Sequence, residues 1–402
     1  MGKPSPERSS ERRHGLVTTV AVFVLVVAAC GQSSDGPTPV TETPTTEPGN
    51  QPEAGPSSPP PDTDTSISIV ALADVHFDTF DGGSVTLADS TPELRSHLLD
   101  AIPPIDDPVY GDVSTGNWMV ATDRVLGYVA GDQAYAYPFK ILNFHEIVND
   151  VVGGIPVLIS YCPLCGSAIV YDRRVGGDTH EFRNTSALYE SDMVMVDRAT
   201  GSYWWQVAGS AIVGPQSGAT LEVLPSSVAT WADWVSVYPD TLVLTRETGF
   251  TRPYEQDSFA DYSDYLDGGN FAFPVGDTAA DRRLSPSAVV VGVRDGETVR
   301  VYPIEDIADP INDVVDRVRV VILPTADGAG VFLREADGTA LEFERAGDVF
   351  VDTATGTTWS AGGTALSGRL QGTQLAAVPA RTTFWFAMVG AFPDLVVHQP
   401  EG

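Results

Sequence analysis

Positive charge is what this 402-residue chain has least of. Its 23 Lys and Arg stand against 54 Asp and Glu, a net charge of -31. Such a balance excludes nucleic acid and anionic lipid surfaces as partners, because both would repel the chain. The acidic residues are spread along the sequence, and no D-x-D-x-D-G spacing gathers them into a calcium loop. The familiar catalytic signatures are missing too. There is no G-x-S-x-G elbow, no P-loop, no G-x-G-x-x-G after a strand and no H-E-x-x-H. Cysteine is nearly absent: beyond Cys30 in the N-terminal segment there are just Cys162 and Cys165. What is abundant is apolar residue, 43% of the chain, enough to bury a real core.

The N-terminus reads as an export signal. Lys3, Arg8, Arg12 and Arg13 precede an apolar run over residues 16–29. That run is too short to span a bilayer comfortably, and small residues follow it, as in a secretory signal. Val27-Ala28-Ala29-Cys30-Gly31 resembles a bacterial lipobox. The resemblance implies cleavage before Cys30 and a diacylglyceryl group on its sulfur; the alternative is an ordinary cleaved signal with a free Cys30. The expectation is therefore a signal peptide over 1–29 and a protein held on the extracytoplasmic face of the cell membrane, with lipid as its partner through Cys30. Residues 31–65 contain nine Pro, seven Thr, four Ser and four Gly and no Lys or Arg. They cannot bury a core, so 30–66 is expected to be a disordered tether, reaching roughly 30–35 Å as a random coil.

From about Ile67 the chain repeats itself. Val125-Leu126-Gly127-Tyr128-Val129 and Ala134-Tyr135-Ala136-Tyr137-Pro138 match Val289-Val290-Val291-Gly292-Val293 and Val299-Arg300-Val301-Tyr302-Pro303. Val148-Asn149-Asp150-Val151-Val152 matches Ile311-Asn312-Asp313-Val314-Val315. Gly201-Ser202-Tyr203-Trp204 matches Gly356-Thr357-Thr358-Trp359. Two copies predict two similar lobes, not a solenoid. Val-, Ile- and Tyr-rich runs separated by Gly-Asp and Asp-Gly turns make each copy mostly β. The fold class predicted is α+β, mostly β, with one or two short helices per lobe. One helix begins near Leu142, and another covers about 229–237 with Trp231, Trp234 and Val235 on one face. The lobes are expected at 67–250 and 286–402. An acidic, aromatic connector lies between them at 251–285, either a solvated loop over the lobe junction or a flap over the cysteines.

The copies differ at one place. Tyr161-Cys162-Pro163-Leu164-Cys165-Gly166 sits between two apolar, strand-like runs. In the second copy Pro324 stands opposite Cys162 and Asp327 opposite Cys165, and the region opposite His145 is shortened. Three readings of the pair follow. In thiol redox chemistry, Cys162 attacks, Cys165 resolves and His145 accepts a proton; no thioredoxin-like βαβ pattern surrounds the motif, however. As a metal site, Cys162, Cys165 and His145 suit zinc or copper, with Asp150 or Glu146 as fourth ligand or as acceptor for the imidazole. His180 is a weaker candidate ligand. In the structural reading the pair is a disulfide within a non-catalytic surface binding or scaffold module. His76, His97 and His398 are read as structural.

At these residues the chain resembles a bacterial family catalogued as domain of unknown function 3179. The matching stretches are Tyr137-Pro138 through Asn149-Asp150, the Cys162–Cys165 motif, Ser191-Asp192-Met193-Val194-Met195 with Asp197-Arg198, Trp231-Ala232-Asp233-Trp234, Phe273-Pro274-Val275-Gly276 and Thr383-Phe384-Trp385-Phe386. The likeness covers about residues 110–398. Trp204-Trp205 departs from the Leu-Trp more usual in the family. The resemblance implies no activity.

Overall fold

A computed structural model describes residues 62–277 and 281–399. The expected signal peptide and the tether up to residue 61 lie outside the described residues. Residues 62–66, assigned to the tether, are attached to the body: Asp62 pairs with Arg95 at 2.8 Å and Thr63 is buried. The described chain is mostly β with five short α-helices, as its alternating and continuous apolar runs predict.

Two sheets frame the cysteines. The first is an antiparallel meander in the order Ser210–Val213, Tyr203–Trp205, Asp192–Asp197, Phe182–Tyr189, Val75–Asp78, Ser84–Thr86. The second runs Val396–Val397, Thr298–Pro303, Val289–Asp295, Ala380–Phe384, Ser167–Asp172, Ile155–Cys162, Ile147–Val152. Strands from widely separated parts of the chain therefore share one sheet, joined where Thr382 pairs with Ala168. Ser167–Asp172 is buried at every position, as is the last part of Ile155–Cys162. Both faces are covered, and this is why these segments read as continuous apolar runs without alternation.

Hydrogen bonds recur at positions that the sequence sets opposite each other. The Asn149 amide donates to Phe182 C=O at 2.8 Å and accepts from Phe182 N–H at 2.9 Å; Asn312 makes the same pair of bonds with Phe343, both at 2.8 Å. Trp204 Nε1–H donates to Asp197 at 3.0 Å, and Trp359 Nε1–H to Asp352 at 2.9 Å. Cys162 pairs with Ser167 across the turn 163–166, and Pro324 with Ala329 across 325–328. Tight turns follow the sequence closely. Ala130 pairs with Gln133 around Gly131-Asp132, with Gly131 at φ +60° as a type II′ hairpin requires. The Asp295-Gly296 pair reads as the turn of the second hairpin, but the turn is Gly296-Glu297, because Asp295 is still paired with Thr298.

The first expected helix begins three residues before Leu142 and ends at His145, spanning Phe139–His145; the second forms at Trp231–Val237. Thr230 caps the latter by accepting from Asp233 N–H at 3.1 Å. Trp231 and Trp234 are buried in the core; Val235 is half-buried at its edge. The connector holds a further helix, Tyr262–Asp267, whose Tyr262 and Leu266 enter the same core cluster as both cysteines. It is thus packed over that cluster, not a solvated loop. Its far end is held through Asp267, which accepts from Ser287 Oγ at 2.7 Å.

Asn149→Ala would leave Phe182 N–H and C=O buried without partners, a loss of about 2–4 kcal/mol. Urea unfolding of the variant is expected to show that decrease; a change below about 0.5 kcal/mol would contradict the role given to the amide.

Candidate metal centre

The turn carrying the cysteines is built locally. Strand Ile155–Cys162 delivers Cys162 into it, and Gly166 closes it at φ +58°, a conformation that side-chain-bearing residues rarely adopt. The opposing wall is the hairpin between Phe182–Tyr189 and Asp192–Asp197. Tyr189 pairs with Asp192, leaving Glu190-Ser191 as the turn, at φ +53° and +58°. Both central residues are left-handed, as in a type I′ turn, although neither is Gly or Asn. Such strain of order 1–3 kcal/mol per residue persists where surrounding contacts enforce it. Here the connector enforces it: Gly276 N–H donates to Glu190 at 2.7 Å and Phe273 N–H to Ser191 Oγ at 3.4 Å. The strained turn sets the start of the next strand, and so the direction of Asp192.

Cys162 Sγ, Cys165 Sγ and an Asp192 carboxylate oxygen lie within 4.8 Å of one another, all buried. Both cysteines are free thiols. The Cys165 thiol donates to Asp192 Oδ1 at 2.8 Å, and Val207 N–H donates to Asp192 Oδ2 at 2.8 Å. Cys165 Sγ also lies 3.1 Å from Ser167 Oγ. Ser167 Oγ donates to Gln206 Oε1, and Gln206 Nε2 donates to Ser160 Oγ at 2.9 Å, so the polar groups behind the turn are satisfied.

The electrostatics of this cluster are unusual. Burial pushes the Cys165 thiol well above its ordinary value, and the Asp192 charge adds to the shift. Burial also raises Cys162, with Asp192 and Glu146 contributing. Asp192 is pushed up to about 6, chiefly by burial. Glu146 is pushed up to about 8 by burial, despite accepting from the Asn184 amide at 2.6 Å. Among the described residues, every hydrogen bond received by these four side chains comes from a neutral group. The site is a set of acids to which, among the described residues, no cation bonds directly; Arg381 reaches the Val207 C=O next to it.

His145 and Asp150, expected as ligands, are engaged elsewhere. His145 ends its helix with Nδ1 2.8 Å from Pro103 C=O and Nε2 2.7 Å from the Tyr254 hydroxyl. A carbonyl can only accept, so Nδ1 carries the proton and Nε2 accepts from Tyr254. Burial lowers the imidazole to about 4, keeping it neutral. Its lone pair is therefore in use, and it is not available as proton acceptor for Cys162 in this arrangement. Asp150 accepts from the Tyr110 hydroxyl at 2.6 Å. His180 is buried beside Asp197, 3.4 Å from it. His398 lies 3.4 Å from Asp313 and against Tyr302. Glu146 alone of the anticipated carboxylates borders the cysteines. It sits in the left-handed conformation at φ +58°, and its backbone C=O accepts from Tyr161 N–H at 2.8 Å. Asp192 was not singled out by spacing. The available signal was an acid heading the apolar run Met193-Val194-Met195-Val196, where a carboxylate is costly unless it has a purpose.

A family model described as "Protein of unknown function (DUF3179)" matches residues 99–395, and the chain belongs to that family. No curated protein and no solved structure matches the chain. Among the described residues no helix is long and apolar enough to cross a membrane.

The raised carboxylates give a pH dependence. Glu146 keeps a proton in the folded chain between 4.5 and about 8, so stability falls as pH rises through that window. Asp192 acts likewise between 3.8 and about 6. His145, lowered to about 4 from 6.5, acts oppositely and is spent by 6.5. From pH 6.5 to 8, Glu146 alone of these three still titrates. Metal-free protein is expected to lose melting temperature across that interval, and Glu146→Gln to flatten the loss. An equal slope in both would contradict the assignment.

Proposed function

We propose that this DUF3179-family protein is an extracytoplasmic lipoprotein, anchored through Cys30, that holds a transition-metal ion, zinc or copper, on Cys162, Cys165 and Asp192. The observation that carries the reading is the cluster of three buried ligand atoms within 4.8 Å. Burying ionisable acids is unfavourable, and the raised thiols express that penalty as retained protons. A metal ion replaces the protons. Each thiol gives up its S–H proton, two protons leave, and two metal–thiolate bonds form with the Asp192 carboxylate as third ligand. Two thiolates and one carboxylate suit zinc, which takes S and O donors in a tetrahedral set; two thiolates also suit copper(I). Glu146, close enough to raise Cys162, holds its own proton at neutral pH and would have to lose it before serving the ion.

Thiol redox chemistry is the second reading, and the Cys165–Asp192 hydrogen bond favours it: the carboxylate could take the thiol proton. Closing the pair to a disulfide releases two protons and two electrons, so it needs a partner disulfide as oxidant. With Cys162 2% and Cys165 0% exposed, such a partner has no approach to either sulfur. The raised thiols also oppose thiolate formation. Burial therefore supports a small ion over a macromolecular thiol partner.

Elemental analysis of full-length protein, extracted from membranes without chelator, is expected to find about one zinc or copper per chain. Cys162→Ser, Cys165→Ser and Asp192→Asn are each expected to lose most of it, and His145→Ala to keep it. Metal-free wild type with two reversibly oxidised thiols would favour the redox reading instead. Replacing Cys30 with Ser is expected to abolish metabolic labelling of the protein by radioactive fatty acid. Labelling unchanged in the variant would overturn the anchor.

A further inference from the structure

The cysteine turn is held from outside its own hairpin. Strand Ala380–Phe384, far along the sequence, enters the sheet beside Ser167–Asp172. Side chains alternate along a strand, so Arg381 and Thr383 project to one face and Thr382 and Phe384 to the other. Thr383 Oγ1 donates to Cys165 C=O at 2.8 Å, and Phe384 N–H donates to the same carbonyl at 2.8 Å. Arg381 Nε donates to Val207 C=O at 3.0 Å, and its Nη2 reaches Ala208 C=O at 3.4 Å. Val207 is the residue whose N–H binds Asp192. The Phe384 ring fills the space beside Gly166, where a Cβ would meet it at 2.9 Å. One strand thus reaches the site at both ends, Cys165 through Thr383 and Phe384, and Asp192 through Arg381 and the backbone of Val207.

We propose that Thr383 and Arg381 are positioning residues for the Cys162–Cys165–Asp192 centre, and that the cysteine-free part of the chain is an integral part of that centre. The inference rests on the metal reading for its main test. The physical reason is preorganisation. Thr383 is fully buried, and its hydroxyl is spent on a carbonyl that the Phe384 N–H already satisfies. The second bond adds little to strand pairing but fixes the Cys165–Gly166 peptide plane, from which the Cys165 side chain departs. Arg381 fixes the Val207–Ala208 peptide, and so holds the far side of Val207, whose N–H in the preceding peptide occupies Asp192 Oδ2 and leaves Oδ1 toward Cys165. Groups that orient ligands in this way typically change metal affinity by about 10- to 100-fold.

The probe is cobalt(II) added to full-length, metal-stripped protein, read through its thiolate-to-cobalt charge-transfer band. Thr383→Val is expected to weaken cobalt binding at least about tenfold and to shift the band, and Thr383→Ser to restore both. Arg381→Met is expected to weaken binding with partial recovery in Arg381→Lys, which gives a second variant should Thr383→Val fold poorly. Wild-type affinity and an unshifted band in both Thr383→Val and Arg381→Met would overturn the proposal, whatever their melting temperatures, since a purely structural role moves stability alone. If the wild type takes up no cobalt, the metal reading fails and the clamp is read from the thiols. Alkylation of Cys165 relative to Cys162, followed by mass spectrometry, is then expected to rise several-fold in Thr383→Val and not in Thr383→Ser. An unchanged ratio would overturn the clamp, because general loosening exposes both thiols alike.

Discussion

The bond from the Cys165 thiol to Asp192 is the constraint on which the rest depends. It joins two groups that would ionise in water and holds both where water is excluded. Burial makes the charged form of each unfavourable, and Glu146 adds a third carboxyl nearby. A core designed for stability alone would place apolar residues there, since buried polar groups give at best a small net gain. The surrounding structure accommodates the cost with strained backbone at Glu146, Glu190 and Ser191 and a satisfied network through Ser167, Gln206 and Ser160. Strain and buried acids gathered at one place are features that functional sites share.

The fold meets this requirement by layering. The cysteine hairpin belongs to one sheet and Asp192 to another, and the cluster forms where the two share a core. The connector lies over that core, and strand Ala380–Phe384 closes it from the side. The short range of each element matters: among the described residues no helix near the site exceeds two turns, so positions are set by strand register, which a one-residue slip would invert.

Much of this was legible in the sequence where the signal is local. Cys162 and Cys165 were placed on a turn between buried strands because two apolar runs flank them, and the structure has that turn. Gly131 marked its hairpin, and the spacing of Trp231 and Trp234 marked their helix. His145 was associated with the cysteines through residue type and nearness along the chain. Neither determines where a side chain points at a helix end, and the imidazole turns to Pro103 and Tyr254. Asp192 enters by strand pairing at long range, which composition and spacing do not encode. The same holds for Thr383 and Arg381, which reach the site only because distant strands share a sheet.

The account turns on Asp192, and not His145, sharing the ion with the two cysteines. X-ray absorption at the metal edge of the natively loaded, full-length protein tests this directly. The account predicts a first shell of two sulfur atoms at about 2.3 Å with one or two oxygen atoms near 2.0–2.2 Å, and none of the outer-shell scattering that an imidazole ring produces. An imidazole signature, or a first shell without sulfur, would contradict it.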